Sequence, residues 1–107
     1  MTSRAPTVRV DIFMAGDLAA AKQVCREFCF AVGLCVHVEP LTYIYTGGEE
    51  EGFKVGLINY PRFPKTVDEI EVTASQLAEL LMLRLCQHSY SIVGPEVTAW
   101  VSRRPPQ

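Results

Sequence analysis

The stretch LCVHVEPLTYIYTGGEEEGFKVGLI, Leu34 to Ile58, decides how this chain is read. Two apolar, β-prone segments flank a run of Gly47, Gly48, Glu49, Glu50, Glu51 and Gly52. That run is too glycine-rich and acidic for a core, so the stretch predicts a long β-hairpin with a solvated acidic tip. The first strand is expected over Leu34–Tyr45 and the second over Phe53–Asn59. Pro40 has no ladder donor, which places it at a bulge or on a sheet edge.

Working outward, Thr7–Met14 (TVRVDIFM) predicts a strand. Asp17 is placed to cap the helix that follows, and Gly33 to end it. Between them Leu18, Ala21, Cys25, Phe28 and Val32 recur at spacings of three and four, an amphipathic stripe. After the hairpin, Tyr60-Pro61-Arg62-Phe63-Pro64 is a stiff connection, because two prolines fix the backbone. Lys65–Val72 leaves loop, helical turn and small strand all open. Thr73–Gln76 has capping-box form and predicts a helix to about Gln87. Tyr90–Val93 and Val97–Val101 form the last strand region, broken by Gly94-Pro95.

The order β-α-β-β-α-β predicts an α+β fold of ferredoxin-like type, an antiparallel sheet with both helices on one face and a projecting hairpin. With 107 residues, the chain is expected to be one domain spanning 1–107, with 102–107 a frayed tail. Apolar residues on both faces of the hairpin call for a cover, and a second copy of the chain is the simplest one.

Ten Lys plus Arg stand against twelve Asp plus Glu, a formal charge of −2. Their scatter speaks against a nucleic-acid partner, which needs a basic face. No apolar run approaches the ~20 residues of a membrane span, and MTSRAPTVRVD has no apolar signal core. No membrane partner and a cytoplasmic location are therefore expected. Cys25, Cys29, Cys35 and Cys86 suit that setting as reduced thiols.

Three groups of residues are candidates for a site. Tyr43, Tyr45, Tyr60, Arg62, Phe63 and Trp100 combine aromatic faces with a guanidinium, which can stack a base and pair with phosphate; interface packing is the competing reading. Thr46, Gly47 and Gly48 offer backbone N–H groups for an anion, opposed by the glutamates that follow. Cys35 and His37 share a strand face and, with His88, provide soft ligands for copper or zinc, short of the four that a structural zinc site takes. No nucleophile elbow or Ser-His-Asp or Cys-His set is evident, so the sequence predicts no enzyme and no cofactor.

Several of these segments resemble the CutA family, relatives of the PII signalling proteins. Gly33-Leu34-Cys35-Val36-His37-Val38 with Pro40, Tyr45 with Gly47 or Gly48 and the following glutamates, His88-Ser89-Tyr90, and Pro95-Glu96-Val97 with Ala99 carry the likeness. The departures are Ser89 in place of a proline, extra residues between Tyr90 and Pro95, no tryptophan near the hairpin, and a longer 59–72 connection. The resemblance implies a homotrimer with clefts between subunits. It leads to the expectation of a non-enzymatic protein that senses or sequesters a small anionic ligand, a nucleotide or nucleotide-derived signal, with His88 added to the ligand-contact residues. A divalent-metal-binding CutA-like protein is one alternative. A protein-interaction module inhibiting a partner enzyme is the other. The compact size would also suit a phage protein.

Overall fold

The computed structural model describes residues 1–104. The chain is an α+β protein with one five-stranded antiparallel sheet and two helices. Its elements are β1 (Arg9–Ala15), α1 (Leu18–Val32), β2 (His37–Tyr45), β3 (Gly48–Ile58), α2 (Val67–Arg84), β4 (Ser89–Val93) and β5 (Thr98–Ser102). The strands lie in the order β2-β3-β1-β4-β5. The last strand region is thus two strands, which pair from Ser89–Ser102 to Val93–Thr98.

Alternation along β1 turns Val10, Ile12 and Met14 inward, all at most 2% exposed. Each is paired to an inward residue of β3: Leu57, Val55 and Phe53 respectively. Against this layer pack Ala21, Val24 and Cys25 of α1 and Ile70, Ala74, Leu77, Ala78, Leu81 and Met82 of α2. Both helices therefore cover the same face of the sheet.

Local chemistry sets the helix ends. Asp17 accepts from the Ala20 N–H at 2.8 Å, and Gly33 closes α1 in the left-handed region at φ 69°, its N–H donating to Cys29. The α1 stripe is shifted from the expected one: Val24 is buried, while Val32 is 53% exposed. Helix α2 begins earlier than Thr73. Its capping box is Thr66–Glu69, each side chain reaching the other's backbone N–H. Thr73 lies inside the helix, and its hydroxyl donates to the Glu69 carbonyl at 2.8 Å. Lys65–Val72 is thereby resolved as the cap and first turns of α2.

The hairpin also differs from expectation. Its turn is Thr46-Gly47, with Gly47 at φ 89°, and Glu49, Glu50 and Glu51 belong to β3 rather than to a tip. Pairing with β1 ends at Ala15–Gly52, so the rungs from Thr42–Glu51 to Tyr45–Gly48 are two-stranded. Pro40 sits in β2, an edge strand of the sheet, where a missing donor is tolerated.

Two anchors fix the remaining chain. Asn59 is 7% exposed; its Nδ2 donates to Pro6 at 2.8 Å and its Oδ1 accepts from the Lys65 N–H at 2.9 Å. Glu79 accepts from the Tyr90 hydroxyl and from Arg103, each at 2.6 Å, tying α2 to β4 and to the segment after β5. Of the expected tail, Ser102 closes β5 and the Arg103 N–H donates to His88; residues 105–107 lie outside the described residues. Among the described residues no helix is long and apolar enough to cross a membrane.

Candidate functional site

The helix-free face of the sheet carries cross-strand rows. One runs Glu39–Lys54–Phe13–Ser91–Trp100 from edge to edge, and another His37–Gly56–Asp11–Val93–Thr98. Lys54 is bridged to Glu39 at 3.2 Å. Glycines spaced four apart on β3 leave room on this face for rings from β2. Tyr45 lies against Gly48, Tyr43 over Gly52, and His37 over Gly56, so that a Cβ at Gly52 would stand 2.6 Å from the Met14 carbonyl oxygen and 2.9 Å from Tyr43 Cδ2. The glycines act as recesses in which the rings lie flat on the strand.

Where this face meets the two-stranded part of the hairpin, a hollow of about 460 Å³ opens. Phe13, Tyr43 and Trp100 supply aromatic surface to it, Glu50 a carboxylate, and His88 and Arg104 polar groups. Tyr43 and Glu50 are directly opposed across the hairpin. Burial first, and then the Glu50 carboxylate, push the Tyr43 phenol above its ordinary range, so it stays a neutral O–H donor at physiological pH. Aromatic faces beside a carboxylate form a cation-binding combination, and Arg104 adds the opposite charge.

A second cavity, of about 340 Å³, lies between the α1–β2 connection, the 59–65 segment and α2. Tyr60, Arg62 and Phe63 line it with Cys35. The Cys35 Sγ–H donates to the Tyr60 hydroxyl at 3.5 Å, and the thiol, followed by burial, holds the Tyr60 pKa above its usual value.

The ten expected ligand contacts are thus divided. Tyr43, His88 and Trp100 share the hollow, Tyr60, Arg62 and Phe63 share the second cavity, and Tyr45, Thr46, Gly47 and Gly48 form the hairpin end and line neither. Cys35 and His37 also part company. Cys35 precedes β2 and lines the second cavity, whereas His37 lies over Gly56 on the open face. Among the described residues no group of three or more His, Cys, Asp or Glu is placed to hold a metal. Burial first, and then neighbouring Cys29, raise the Cys25 pKa to about 11, which keeps that thiol protonated.

Sequence reasoning missed Phe13, Glu50 and Arg104. Glu50 was assigned to a solvated tip, and a one-residue frame decides that matter. At an even position of β3 it faces the same side as Lys54 and Gly56, opposite the buried Phe53. Tyrosines facing glycines at a spacing of four were the available signal.

No family model matches the chain, and no curated protein matches it. Its fold is shared by solved structures of an enzyme. A phage SAM lyase in complex with S-methyl-5'-thioadenosine matches over 100% of this chain and 98% of its own, at a TM-score of 0.72 and 9% identity. A phage SAM lyase in the apo state matches over the same shares at a TM-score of 0.67 and 12% identity. These matches correct the resemblance to CutA and PII proteins, for neither is a member of that group. They equally correct the expectation of a non-enzymatic nucleotide sensor, because both full-length fold matches are solved structures of an enzyme. The CutA likeness rested on short pieces, and Cys35-Val36 and Pro95-Glu96-Val97 among them lie outside the strands.

Proposed function

We propose that this chain is a lyase that cleaves an adenosyl sulfonium compound, S-adenosylmethionine being the first candidate, and releases methylthioadenosine. The full-length fold match to a SAM lyase holding S-methyl-5'-thioadenosine is the observation that carries this reading. The hollow on the open sheet face supports it chemically. A sulfonium is a cation without N–H donors, suited to the faces of Tyr43, Trp100 and Phe13 beside the Glu50 carboxylate. The aminocarboxylate end of such a substrate finds a carboxylate partner in Glu50 and a guanidinium in Arg104.

The chemistry asks little of acid catalysis. When the C–S bond to the aminobutyrate chain breaks, its electron pair returns to sulfur and the substrate's own carboxylate oxygen bonds to the carbon left behind, closing a lactone, so the thioether leaves neutral and no proton is needed. What the protein has to supply is orientation and exclusion of water. The ring of Tyr43, recessed into Gly52, and the row through Phe13 and Trp100 would provide a fixed wall for that purpose.

We read β2-β3-β1-β4 with its two helices as a ferredoxin-like core, extended by β5, from which the two-stranded part of the hairpin projects. A homotrimer in which a second copy covers the open face would close the hollow from water. Exposed Tyr45 and Trp100 on that face are apolar surface available for such contacts. Light scattering on the purified chain tests the assembly, and a monomer at micromolar concentration would remove it.

The activity is tested by incubating the protein with S-adenosylmethionine and following methylthioadenosine by liquid chromatography and mass spectrometry. Turnover above the spontaneous rate is expected, with at least a tenfold loss in Tyr43→Ala and Glu50→Gln. Absence of both turnover and binding at millimolar substrate would overturn the proposal.

A further inference from the structure

The second cavity has its own chemistry, separate from the hollow on the open sheet face. Its deep side is apolar: Leu57 and Ile70 are 2% and 3% exposed, and Leu34 is half-buried. Its rim carries two cations, Arg62 and Lys65. Among the described residues neither forms a salt bridge. The carboxylates closest in sequence are Asp68 and Glu69. They line another depression, which shares Lys65 and Thr73 with this cavity, and Glu69 is occupied by Thr66.

The rim is also held in place. The Phe63 N–H donates to the Tyr60 carbonyl at 2.9 Å, closing a turn around Arg62, whose guanidinium lies 5.3 Å from the Phe63 ring centroid. The backbone of Lys65 is tied to Asn59 at 2.9 Å. An apolar pit whose mouth carries two cations outside any salt bridge, on a backbone held at both residues, fits a ligand with a hydrocarbon body and an anionic head. The volume, about 340 Å³, is at the small end of ligand sites.

From this geometry we propose that the cavity is a second ligand site, taking a small amphiphilic carboxylate whose chain enters between Leu34, Leu57 and Ile70 and whose head meets Arg62 and Lys65. This site is independent of the lyase reading, and no step of that reaction passes through it.

The test is isothermal titration with submicellar decanoate, decanol and inorganic phosphate as separate probes. Decanoate is expected to bind at least tenfold more tightly than decanol, and phosphate alone not measurably. Arg62→Ala/Lys65→Ala, both at exposed positions, should erase the preference for decanoate over decanol. Cys35→Phe, which narrows the cavity from an exposed wall, should weaken both. Tyr43→Ala, in the hollow, should retain decanoate binding. Equal affinity for decanoate and decanol in the wild type, an unchanged preference in the double variant, or loss of decanoate binding in Tyr43→Ala would each overturn the proposal.

Discussion

Replacing Gly52 by alanine tests whether the glycine recesses of β3 are structural necessities. The added Cβ would stand 2.6 Å from the Met14 carbonyl oxygen, about 0.8 Å inside ordinary contact distance. It would also run into the Tyr43 ring, whose Cδ2 is 2.9 Å away. The ring can swing aside, but the carbonyl belongs to β1 and is fixed by the Ala15–Gly52 register and by the Gly16 N–H bond to Glu51 at 3.1 Å. Overpacking of this kind costs about 1–3 kcal/mol. Lower chain entropy returns about 0.5–1 kcal/mol when glycine becomes alanine. Taking the middle of each range, the expected net loss is about 1 kcal/mol by urea unfolding, with an unchanged m-value. Adding Tyr43→Ala should recover only the ring's share, so the double variant stays less stable than Tyr43→Ala alone. Gly56→Ala is the comparison. Its Cβ meets chiefly the exposed His37 ring, a side chain that can move, and a change within about 0.5 kcal/mol is expected. If Gly52→Ala unfolds within 0.3 kcal/mol of wild type, roughly the additivity error between independent sites, the recess argument fails, and with it the account of how Tyr43 is held in the hollow.

Other consequences follow from single residues. Cys86 ends α2 in the left-handed region at φ 56°, where glycine is preferred, so Cys86→Gly should raise stability by about 0.5–1 kcal/mol in the same assay. Asn59→Ala leaves the Pro6 carbonyl and the Lys65 N–H without their partner and should cost about 1–3 kcal/mol, with proteolysis between residues 60 and 65 accelerated. The Tyr90 hydroxyl, with Arg103, holds the Glu79 carboxyl below its ordinary range. Because the folded pKa is depressed, this contribution is complete above the ordinary carboxylate range and is lost as pH falls through the lowered value. Glu79→Gln should accordingly flatten that part of the acid-stability profile, and an unchanged profile would show the network to be silent.

Much of the fold was legible because it rests on local patterns. Asp17 and Gly33 bound α1 at the expected residues, since a capping carboxylate and a left-handed glycine act within one turn of the chain. The start of α2 was less legible. Thr66–Glu69 and Thr73–Gln76 have the same capping form, and burial of Ile70 against the core selects the first, because a helix that begins at Thr73 would leave Ile70 outside it.

The site was legible only in its residue types. An aromatic and acidic hairpin was evident from Leu34 to Ile58, yet its placement of Glu50 depended on a turn one pair of residues long. Short motifs pointed to a CutA-like sensor, whereas the complete arrangement of strands matches SAM lyases at 9–12% identity. The sequence by itself determined that strands and helices alternate along these segments and where α1 is capped, both set by interactions within a few residues. Only the tertiary structure decided which distant side chains meet: that Phe13, Tyr43, Glu50 and Trp100 from four strands share one hollow, while Tyr60, Arg62 and Phe63 line another. Strand order and register create those meetings, and both are fixed by burial across the whole sheet rather than by any local stretch of the chain.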